Sequence, residues 1–208
     1  IYAELNKEFN EHFAFFNFDF NIAMGCTTDW KKSANLAKDM CHGDDFKAMN
    51  KQILILAMGF NRTLQARKKY INNHPRKIEL AEMILEHRMD KKCITFSATV
   101  AMAEKIKYGQ VYSGKDSVKI GRITLSEFIN LDGGILNTIS KVNEGLNCPD
   151  ISVAIMLGIN SSKTVATQRK GRVIRYQSGK TAEIFTLVLK GTVEEKWFQN
   201  SNTSSNYI

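Results

Sequence analysis

Residues 92–99 read Lys-Cys-Ile-Thr-Phe-Ser-Ala-Thr. The central run Cys93-Ile94-Thr95-Phe96 is apolar and contains β-branched and aromatic side chains, which predicts a short buried strand. The residues that follow, 98–106, have the pattern of a helix. A buried strand followed at once by a helix is the building unit of a parallel sheet. This stretch therefore predicts an α/β fold.

The same alternation continues on both sides of this stretch. Further strands are predicted at 110–112, 135–138, 153–157 and 183–189. Helices are predicted at 75–89, 117–129 and 162–173, the first of them starting at Asn73-His74-Pro75. Together these elements predict a parallel sheet flanked by helices. Such sheets bind ligands at the carboxyl ends of their strands, so we expect function in the loops after Phe96, Tyr112, Thr138 and Leu157.

The first 70 or so residues have a different pattern, with helices predicted at 6–20, 30–40 and 46–70 and a loop at 25–29. Half of the 12 phenylalanines lie between residues 9 and 20. Phe9, Phe13 and Phe16 share one helical face, which predicts a packing face. A base-stacking platform is the weaker interpretation, because no basic residues alternate with these aromatic side chains.

Composition bounds the class of protein. The chain has 208 residues, 43% hydrophobic and 24% charged, which is typical of a globular protein and excludes a wholly disordered or collagen-like chain. No run of about 18 apolar residues occurs, so we expect no membrane span. The four cysteines form no CxxC pair, which favours a reducing compartment. Their spacing with the histidines matches no standard zinc pattern, so no metal site is predicted.

Positive charge is concentrated near the C-terminus. The net charge is +8, from 29 Lys and Arg against 21 Asp and Glu. Residues 151–182 contain no acidic residue, and their basic residues are Lys163, Arg169, Lys170, Arg172, Arg175 and Lys180. Such a one-sign stretch is either a solvated face or an anion site.

The segment Gln168-Arg169-Lys170-Gly171-Arg172-Val173-Ile174-Arg175 favours the anion site. Arg172 and Arg175 are three residues apart, so on a helix both guanidinium groups point to the same side. Two forked cations aimed at one place suit a phosphate chain. By itself the pair is also compatible with a basic helix end that complements the helix dipole.

Three segments in this order resemble the second RecA-like domain of superfamily 2 helicases. Residues 93–99 are similar to motif IV, residues 137–149 to motif V, and residues 168–175 to motif VI, whose pattern is Gln-Arg-x-Gly-Arg-x-x-Arg. The resemblance covers about residues 73 to 190. It implies a RecA-like parallel sheet and an ATP-dependent helicase or translocase.

The resemblance implies roles for individual residues. Arg172 and Arg175 match the arginines that reach the γ-phosphate of ATP, and they are the expected catalytic residues. Gln168 matches the polar residue that couples nucleotide to nucleic acid. The expected nucleotide-side residues of motif V are Glu144, Gly145 and Asn147. Many relatives have Asp where Asn147 stands, so the charge at that position is lost.

Four further residues fall where family members grip the sugar-phosphate backbone. These are Ser97, Gly114, Lys115 and Thr138. Contacts of this kind position a strand without reading its sequence. DNA is the expected track rather than RNA, because motif VI opens with Gln168 and not with the His of RNA DEAD-box proteins.

Two parts of a complete motor are missing from the sequence. No GxxxxGK[ST] occurs, since the tempting Gly179-Lys180-Thr181 has Ile174 where that motif needs Gly. No Asp-Glu-x-His or Asp-Glu-x-Asp box occurs either. The resemblance implies that a first RecA-like domain of the same polypeptide holds most of the ATP and Mg²⁺. We therefore expect this chain alone to be inactive in hydrolysis.

These arguments define the expected organisation. Residues 1–72 form a helical linker or accessory segment, 73–198 the second RecA-like domain, and 199–208 a polar flexible tail. The expected setting is DNA repair, recombination or phage replication in the cytoplasm of a bacterium or a phage-infected cell, with the nucleus left open. Two alternatives also stay open: a non-catalytic nucleic-acid or protein-binding module that kept the helicase fold, and an unrelated α/β enzyme.

Overall fold

The computed structural model describes residues 1–41, 43–112, 118–139, 150–159 and 181–202. The chain divides into two compact units, Ile1–Tyr70 and Ile71–Ile208. The predicted turn at 113–115 and the predicted helix at 162–173 lie outside the described residues.

The first unit is helical. Its elements are α1 (Tyr2–Ala14), α2 (Phe20–Thr28), α3 (Trp30–Met40), a 3₁₀ turn at Gly43–Asp45, and α4 (Phe46–Asn72). The prediction for α3 matches residue for residue, and α4 extends two residues beyond its predicted end at residue 70. The helical character of this part of the chain is therefore confirmed.

Two local predictions in this unit are wrong. The predicted single helix 6–20 is interrupted after α1, where Asn17 and Phe18 adopt positive φ angles of 49° and 58°. Asp19 then caps α2 by accepting hydrogen bonds from the backbone N–H groups of Asn21, at 2.8 Å, and Ile22, at 3.0 Å. A side-chain cap of this kind satisfies the free donors of a new helix start, so the chain turns here and begins a second helix.

The predicted loop at 25–29 is also largely helical, since α2 runs to Thr28. Gly25 is tolerated inside the helix because the aliphatic stem of Lys32, from α3, packs over it. A Cβ atom at this position would lie 2.8 Å from Cδ of Lys32. Tertiary packing across the α2–α3 pair outweighs the low helix propensity of glycine.

The phenylalanine-rich face forms the core of the first unit. Phe60 of α4 is fully buried, and its ring centroid lies 5.1 Å from that of Phe9 and 4.9 Å from that of Phe13. Phe16 is also buried in this cluster. The interpretation of Phe9, Phe13 and Phe16 as a packing face is confirmed.

The second unit contains a five-stranded sheet. Its strands are β1 (Lys92–Ser97), β2 (Gln110–Tyr112), β3 (Gly134–Ile139), β4 (Val153–Met156) and β5 (Glu183–Thr186). Its helices are α5 (Pro75–Glu86), α6 (Val100–Ala103), α7 (Val118–Asn130) and α8 (Val193–Asn202). The strand order is β2-β3-β1-β4-β5, and every pairing is parallel.

Side chains alternate between the two faces of this sheet, as the two-residue period of a strand requires. On one face Ile94, Leu136 and Met156 pack with Phe128 of α7. On the other face the strand residues pack with Leu85 of α5 and with α6. Apolar residues on both faces explain why the strands read as continuous hydrophobic runs. The predicted parallel α/β sheet flanked by helices is thus confirmed.

Several predictions in the second unit differ from the structure. Helix α5 ends at Glu86 and not at residue 89. Helix α6 covers only Val100–Ala103 of the predicted 98–106, and β5 ends at Thr186 and not at residue 189. Helix α8 was not predicted, and it includes residues 199–202 of the expected flexible tail. The remaining tail residues, 203–208, lie outside the described part of the chain.

Side-chain caps at its first turn explain why α8 forms. The Thr192 hydroxyl accepts a hydrogen bond from the Glu194 N–H at 3.2 Å, and the Glu195 carboxylate accepts one from the Gly191 N–H at 2.8 Å. The sequence Thr-x-x-Glu has the signature of a capping box, and here each side chain caps the N–H one residue earlier than in that motif. The residues Thr192 to Glu195 therefore carried a signal from which this helix could have been predicted.

Within the described ranges, no helix combines the length and apolarity that a membrane crossing requires.

An ion cluster ties the amino-terminal end of β5 to the α5–β1 connection. One Glu183 carboxylate oxygen accepts hydrogen bonds from Nε and Nη2 of Arg88, at 3.0 and 2.6 Å, and the other accepts one from Nζ of Lys91 at 2.7 Å. The Arg88 guanidinium also lies over the Phe185 ring. Hydrogen bonds from Arg88 and Lys91 lower the pKa of Glu183 from 4.5 to about 2.

We expect this cluster to make stability depend on pH in the acid range. A carboxylate with a lowered pKa stabilises the fold above its unfolded pKa, 4.5 here, and that contribution is lost as the pH falls towards about 2. The melting temperature of Glu183→Gln should lie below that of wild type at neutral pH, and the gap should close over this window.

Circular dichroism melting curves measured across that pH range test this expectation. The control is Glu79→Gln, which removes the carboxylate of an exposed pair, Arg76–Glu79, with side chains 75% and 53% exposed. Exposed pairs contribute little, so the control should melt like wild type throughout. A gap for Glu183→Gln that stays constant down to the acid limit would contradict the assignment.

Candidate functional site

The carboxyl ends of β1, β3 and β4 lie side by side in the middle of the sheet. Ser97, the last residue of β1, is in register with Ile139, the last residue of β3. Beyond β4 the pairing to β1 continues, because the N–H groups of Leu157 and Gly158 both donate to the Phe96 carbonyl, at 3.0 and 3.2 Å. These strand ends form the edge at which parallel sheets bind ligands. We call this edge the carboxyl edge.

Gly158 allows the end of β4 to approach the loop after β1. A Cβ atom at position 158 would lie 2.7 Å from Cβ of Ala98 and 2.9 Å from its backbone nitrogen. Backbone cannot give way as a flexible side chain can, so any larger residue would push these two segments apart. The segment 93–99 and the end of β4 can therefore lie in direct contact because residue 158 has no side chain.

Thr99 fixes the loop that follows β1. Its hydroxyl donates to Oδ1 of Asn73 at 3.1 Å and accepts a hydrogen bond from the Met102 N–H at 3.2 Å, which caps α6. Asn73 directly precedes His74, the cap of α5. One threonine thus connects the starts of two helices beside the carboxyl edge.

Buried hydrogen bonds set the register of β1 against β3. The Thr95 hydroxyl donates to Oδ1 of Asn137 at 2.8 Å, and Nδ2 of Asn137 donates to the Tyr108 carbonyl at 2.6 Å. The Thr138 hydroxyl donates to the Thr95 carbonyl at 2.7 Å. A slip of one residue would leave these buried groups unpaired, which is costly. The network therefore holds the carboxyl edge in one arrangement.

A buried ion pair supports the end of β4 from the side of α5. Nζ of Lys77 lies 2.6 Å from Oε1 of Glu194 in α8 and donates to the Leu157 carbonyl at 2.9 Å. Oε2 of Glu194 accepts a hydrogen bond from the Leu189 N–H at 3.1 Å. Burial lowers the pKa of Lys77 and raises the pKa of Glu194, and in each case the partner's charge opposes the shift. The pair joins α5, β4 and α8.

The structure places two of the ten residues predicted for the site. Ser97 and Thr138 lie one position apart on neighbouring strands at the carboxyl edge, and both are fully buried. The other eight lie outside the described residues, and they are Gly114, Lys115, Glu144, Gly145, Asn147, Gln168, Arg172 and Arg175. Their predicted roles stay predictions.

Sequence reasoning missed the groups that brace this edge. Lys77 and Glu194 stand 117 residues apart, and no local pattern connects them. The Thr-x-x-Glu pattern at Thr192 was a sequence signal for α8, and it does not indicate where that helix packs. In the part of the chain that the structure describes, no cluster of three or more His, Cys, Asp or Glu side chains forms a metal site.

A family comparison agrees with this geometry. The helicase conserved C-terminal domain family matches residues 76–177. This range contains β1, β3 and β4 and all three segments singled out in the sequence. The matched residues are therefore a C-terminal, RecA-like helicase domain of the superfamily 2 type.

Two curated relatives share part of the sequence. MJ1505 of Methanocaldococcus jannaschii, whose name describes an ATP-dependent RNA helicase, is 26% identical over 138 residues, which is 60% of this chain and 17% of that protein. The DNA 3'-5' translocase XPB2 of Sulfurisphaera tokodaii is 28% identical over 125 residues, which is 59% of this chain and 28% of that protein. The chain thus spans less than a third of the length of either relative.

Solved structures show the same fold. Domain 2 of the DEAD-box helicase Mss116p, bound to an RNA duplex, superposes with a TM-score of 0.53 at 19% identity, over 67% of this chain and 57% of that one. The C-terminal domain of the DEAD-box protein Dbp5 gives a TM-score of 0.54 at 13% identity, over 64% of this chain and 83% of that one. At such identities the likeness supports the RecA-like fold.

Proposed function

We propose that the chain is the C-terminal motor domain of an ATP-dependent DNA helicase or translocase. It supplies Arg172 and Arg175 to ATP bound mainly by a first RecA-like domain, and it contacts the nucleic-acid backbone. The first unit, residues 1–70, serves as an accessory segment of this motor. The proposed setting is DNA repair or recombination in a bacterial or phage-infected cell.

One observation carries the proposal. The family match over residues 76–177 includes the complete Gln168–Arg175 pattern, with both arginines at the spacing that motif VI requires. A module that only bound nucleic acid would have no need of two guanidinium groups for a terminal phosphate. The pattern therefore favours a working motor over a fold that has lost its chemistry.

The proposed chemistry is phosphoryl transfer to water. ATP with Mg²⁺ supplies the phosphoanhydride bond that breaks as a water oxygen bonds to the γ-phosphorus, leaving ADP and phosphate. Arg172 and Arg175 donate hydrogen bonds to phosphate oxygens and stabilise the charge that develops there. We assign Gln168 to coupling between nucleotide and nucleic acid. The motif V residues on the nucleotide side are Glu144, Gly145 and Asn147.

The proposed backbone contacts divide into two kinds. Gly114 and Lys115 supply a close backbone approach and a cation for a phosphate group. Ser97 and Thr138 have no exposed surface, and the Thr138 hydroxyl is already donated to the Thr95 carbonyl. We therefore assign these two residues a structural role, in which they fix the strand ends at the carboxyl edge and do not contact nucleic acid.

ATP hydrolysis by a polypeptide with both RecA-like domains tests the proposal. We expect turnover that single-stranded DNA stimulates more than RNA of the same sequence, and no turnover from residues 1–208 alone. Turnover by residues 1–208 alone would mean that this chain contains a complete nucleotide site. Stimulation by RNA in preference to DNA would overturn the choice of track, and no stimulation by either would favour a non-catalytic module.

Binding of single-stranded DNA by residues 1–208 should weaken as salt increases. For single strands, each phosphate that a basic side chain neutralises contributes about −0.7 to the slope of log K against log salt. Fluorescence anisotropy with a labelled oligonucleotide measures the slope. Lys115→Ala should make it shallower by about 0.7 to 1. The control is Lys47→Ala, which removes an exposed lysine of α4 and should leave the slope unchanged. A slope near zero for the wild-type chain would contradict phosphate contacts.

A further inference from the structure

The pair Lys77–Glu194 has no part in the chemistry proposed above, yet it is among the most deeply buried groups in the second unit. The two side chains are 1% and 0% exposed. Both Glu194 oxygens have a partner, and Lys77 has two, the Glu194 carboxylate and the Leu157 carbonyl. These contacts join residues 80 and 117 positions apart in the chain. Local structure cannot explain why this pair of charges is buried here.

Stability alone is a weak explanation for a buried ion pair. Taking two charges out of water costs about as much as their attraction returns, and a well-packed apolar pair of similar volume stabilises a fold equally well. An apolar pair, however, imposes little direction, whereas N–H donors on Lys77 hold one carbonyl oxygen and one carboxylate at set distances. The ion pair therefore adds a fixed position for the groups that Lys77 bonds.

The segment that this ion pair positions is the end of β4. On one side, the Leu157 and Gly158 N–H groups bond to the Phe96 carbonyl and Gly158 touches Ala98. On the other side, the Leu157 carbonyl accepts the hydrogen bond from Lys77. The chain continues from Ile159 directly into the stretch that contains Gln168, Arg172 and Arg175.

We propose that Lys77 and Glu194 are positioning residues, which hold the end of β4 against the loop after β1 and thereby determine how fast the proposed site turns over ATP. Neither residue is assigned a contact with nucleotide or nucleic acid. The inference about turnover rests on the proposed function; the inference about the position of β4 does not.

Amide hydrogen exchange on residues 1–208 tests the structural half. The variants are Lys77→Met, Glu194→Gln and the double variant Lys77→Met/Glu194→Leu, which replaces the pair with apolar groups. We expect the double variant to keep the melting temperature of wild type while the Leu157 and Gly158 amides exchange at least about tenfold faster. Glu79→Gln, from an exposed pair on the same helix as Lys77, is the control and should exchange like wild type.

Exchange rates of the single variants are interpreted only if those variants fold, and the double variant decides the question if they do not. Wild-type exchange at Leu157 and Gly158 in the double variant would overturn the positioning role, because apolar packing would then hold the strand end equally well. Faster exchange across all strands together would show a loss of global stability, which also contradicts a local role.

Steady-state ATPase of the two-domain polypeptide tests the functional half. For the double variant we expect kcat to fall by about 10²-fold, since small misplacement of a reacting group has effects of this size, with KM for ATP nearly unchanged. A wild-type kcat together with faster local exchange would overturn the link to turnover. If turnover by the wild-type polypeptide did not depend on Arg172 and Arg175, the proposed function would be refuted instead. The exchange rates of Leu157 and Gly158 would still test the position of β4.

Discussion

Arg172→Ala and Arg175→Ala should each lower the rate of ATP hydrolysis by about 10³- to 10⁵-fold in the two-domain polypeptide. A guanidinium that donates to the γ-phosphate stabilises charge that is greatest in the transition state, so its loss acts on kcat more than on binding. Binding of single-stranded DNA should be retained, since both arginines are assigned to the nucleotide. Steady-state ATPase and fluorescence anisotropy measure the two quantities.

Matched variants separate this role from a general loss of charge. Arg172→Lys keeps the charge but cannot donate two parallel hydrogen bonds, so it should recover only a small part of the rate. Arg76→Ala removes an arginine whose side chain is 75% exposed, and it should hydrolyse ATP like wild type. Equal ATPase in wild type and in both alanine variants would refute the assignment of Arg172 and Arg175.

Phe60→Ala should destabilise the first unit by about 3–5 kcal/mol, the usual cost of removing a buried aromatic ring from a core. Phe60 is fully buried and its ring packs against Phe9, Phe13 and Phe20, with centroid distances of 5.1, 4.9 and 5.9 Å. The ring contributes apolar burial and aromatic contacts together, and without it α1 and α2 lose a shared partner on α4.

Urea unfolding followed by hydrogen exchange of peptides from residues 1–70 measures this loss separately from the second unit. The control is Met58→Ala on the same helix, whose side chain is 67% exposed and should change stability by less than about 0.5 kcal/mol. Similar free energies of unfolding for Phe60→Ala and Met58→Ala would show that the rings near Phe60 rearrange to fill the space.

Much of the fold was predictable because its signals are local. The run Cys93-Ile94-Thr95-Phe96 lies inside β1, and the prediction for β2 matches the structure residue for residue. Proline at 75 begins α5 as expected. The error at 25–29 arises where a neighbouring helix decides: Lys32 of α3 packs over Gly25 and allows α2 to continue, which the propensity of glycine alone would not predict.

The candidate site divides in the same way. The residue types and spacing of Gln168–Arg175 predict a phosphate-binding site from the sequence alone. The burial of Ser97 and Thr138 could not be read from their neighbours, because serine and threonine near a strand end are compatible with exposed and with buried positions. Their place in the centre of a five-stranded sheet decides it.

The sequence by itself determined the class of fold and contained the segments that resemble superfamily 2 helicases, since strand periodicity, helix starts and motif spacing are properties of neighbouring residues. Only the tertiary structure decided that Lys77 reaches Leu157 and Glu194, and that Gly158 brings β4 against Ala98. Those contacts depend on the order of strands in the sheet and on where α8 packs. Buried charges and close backbone contacts are set by that arrangement in space, and no short-range pattern encodes it.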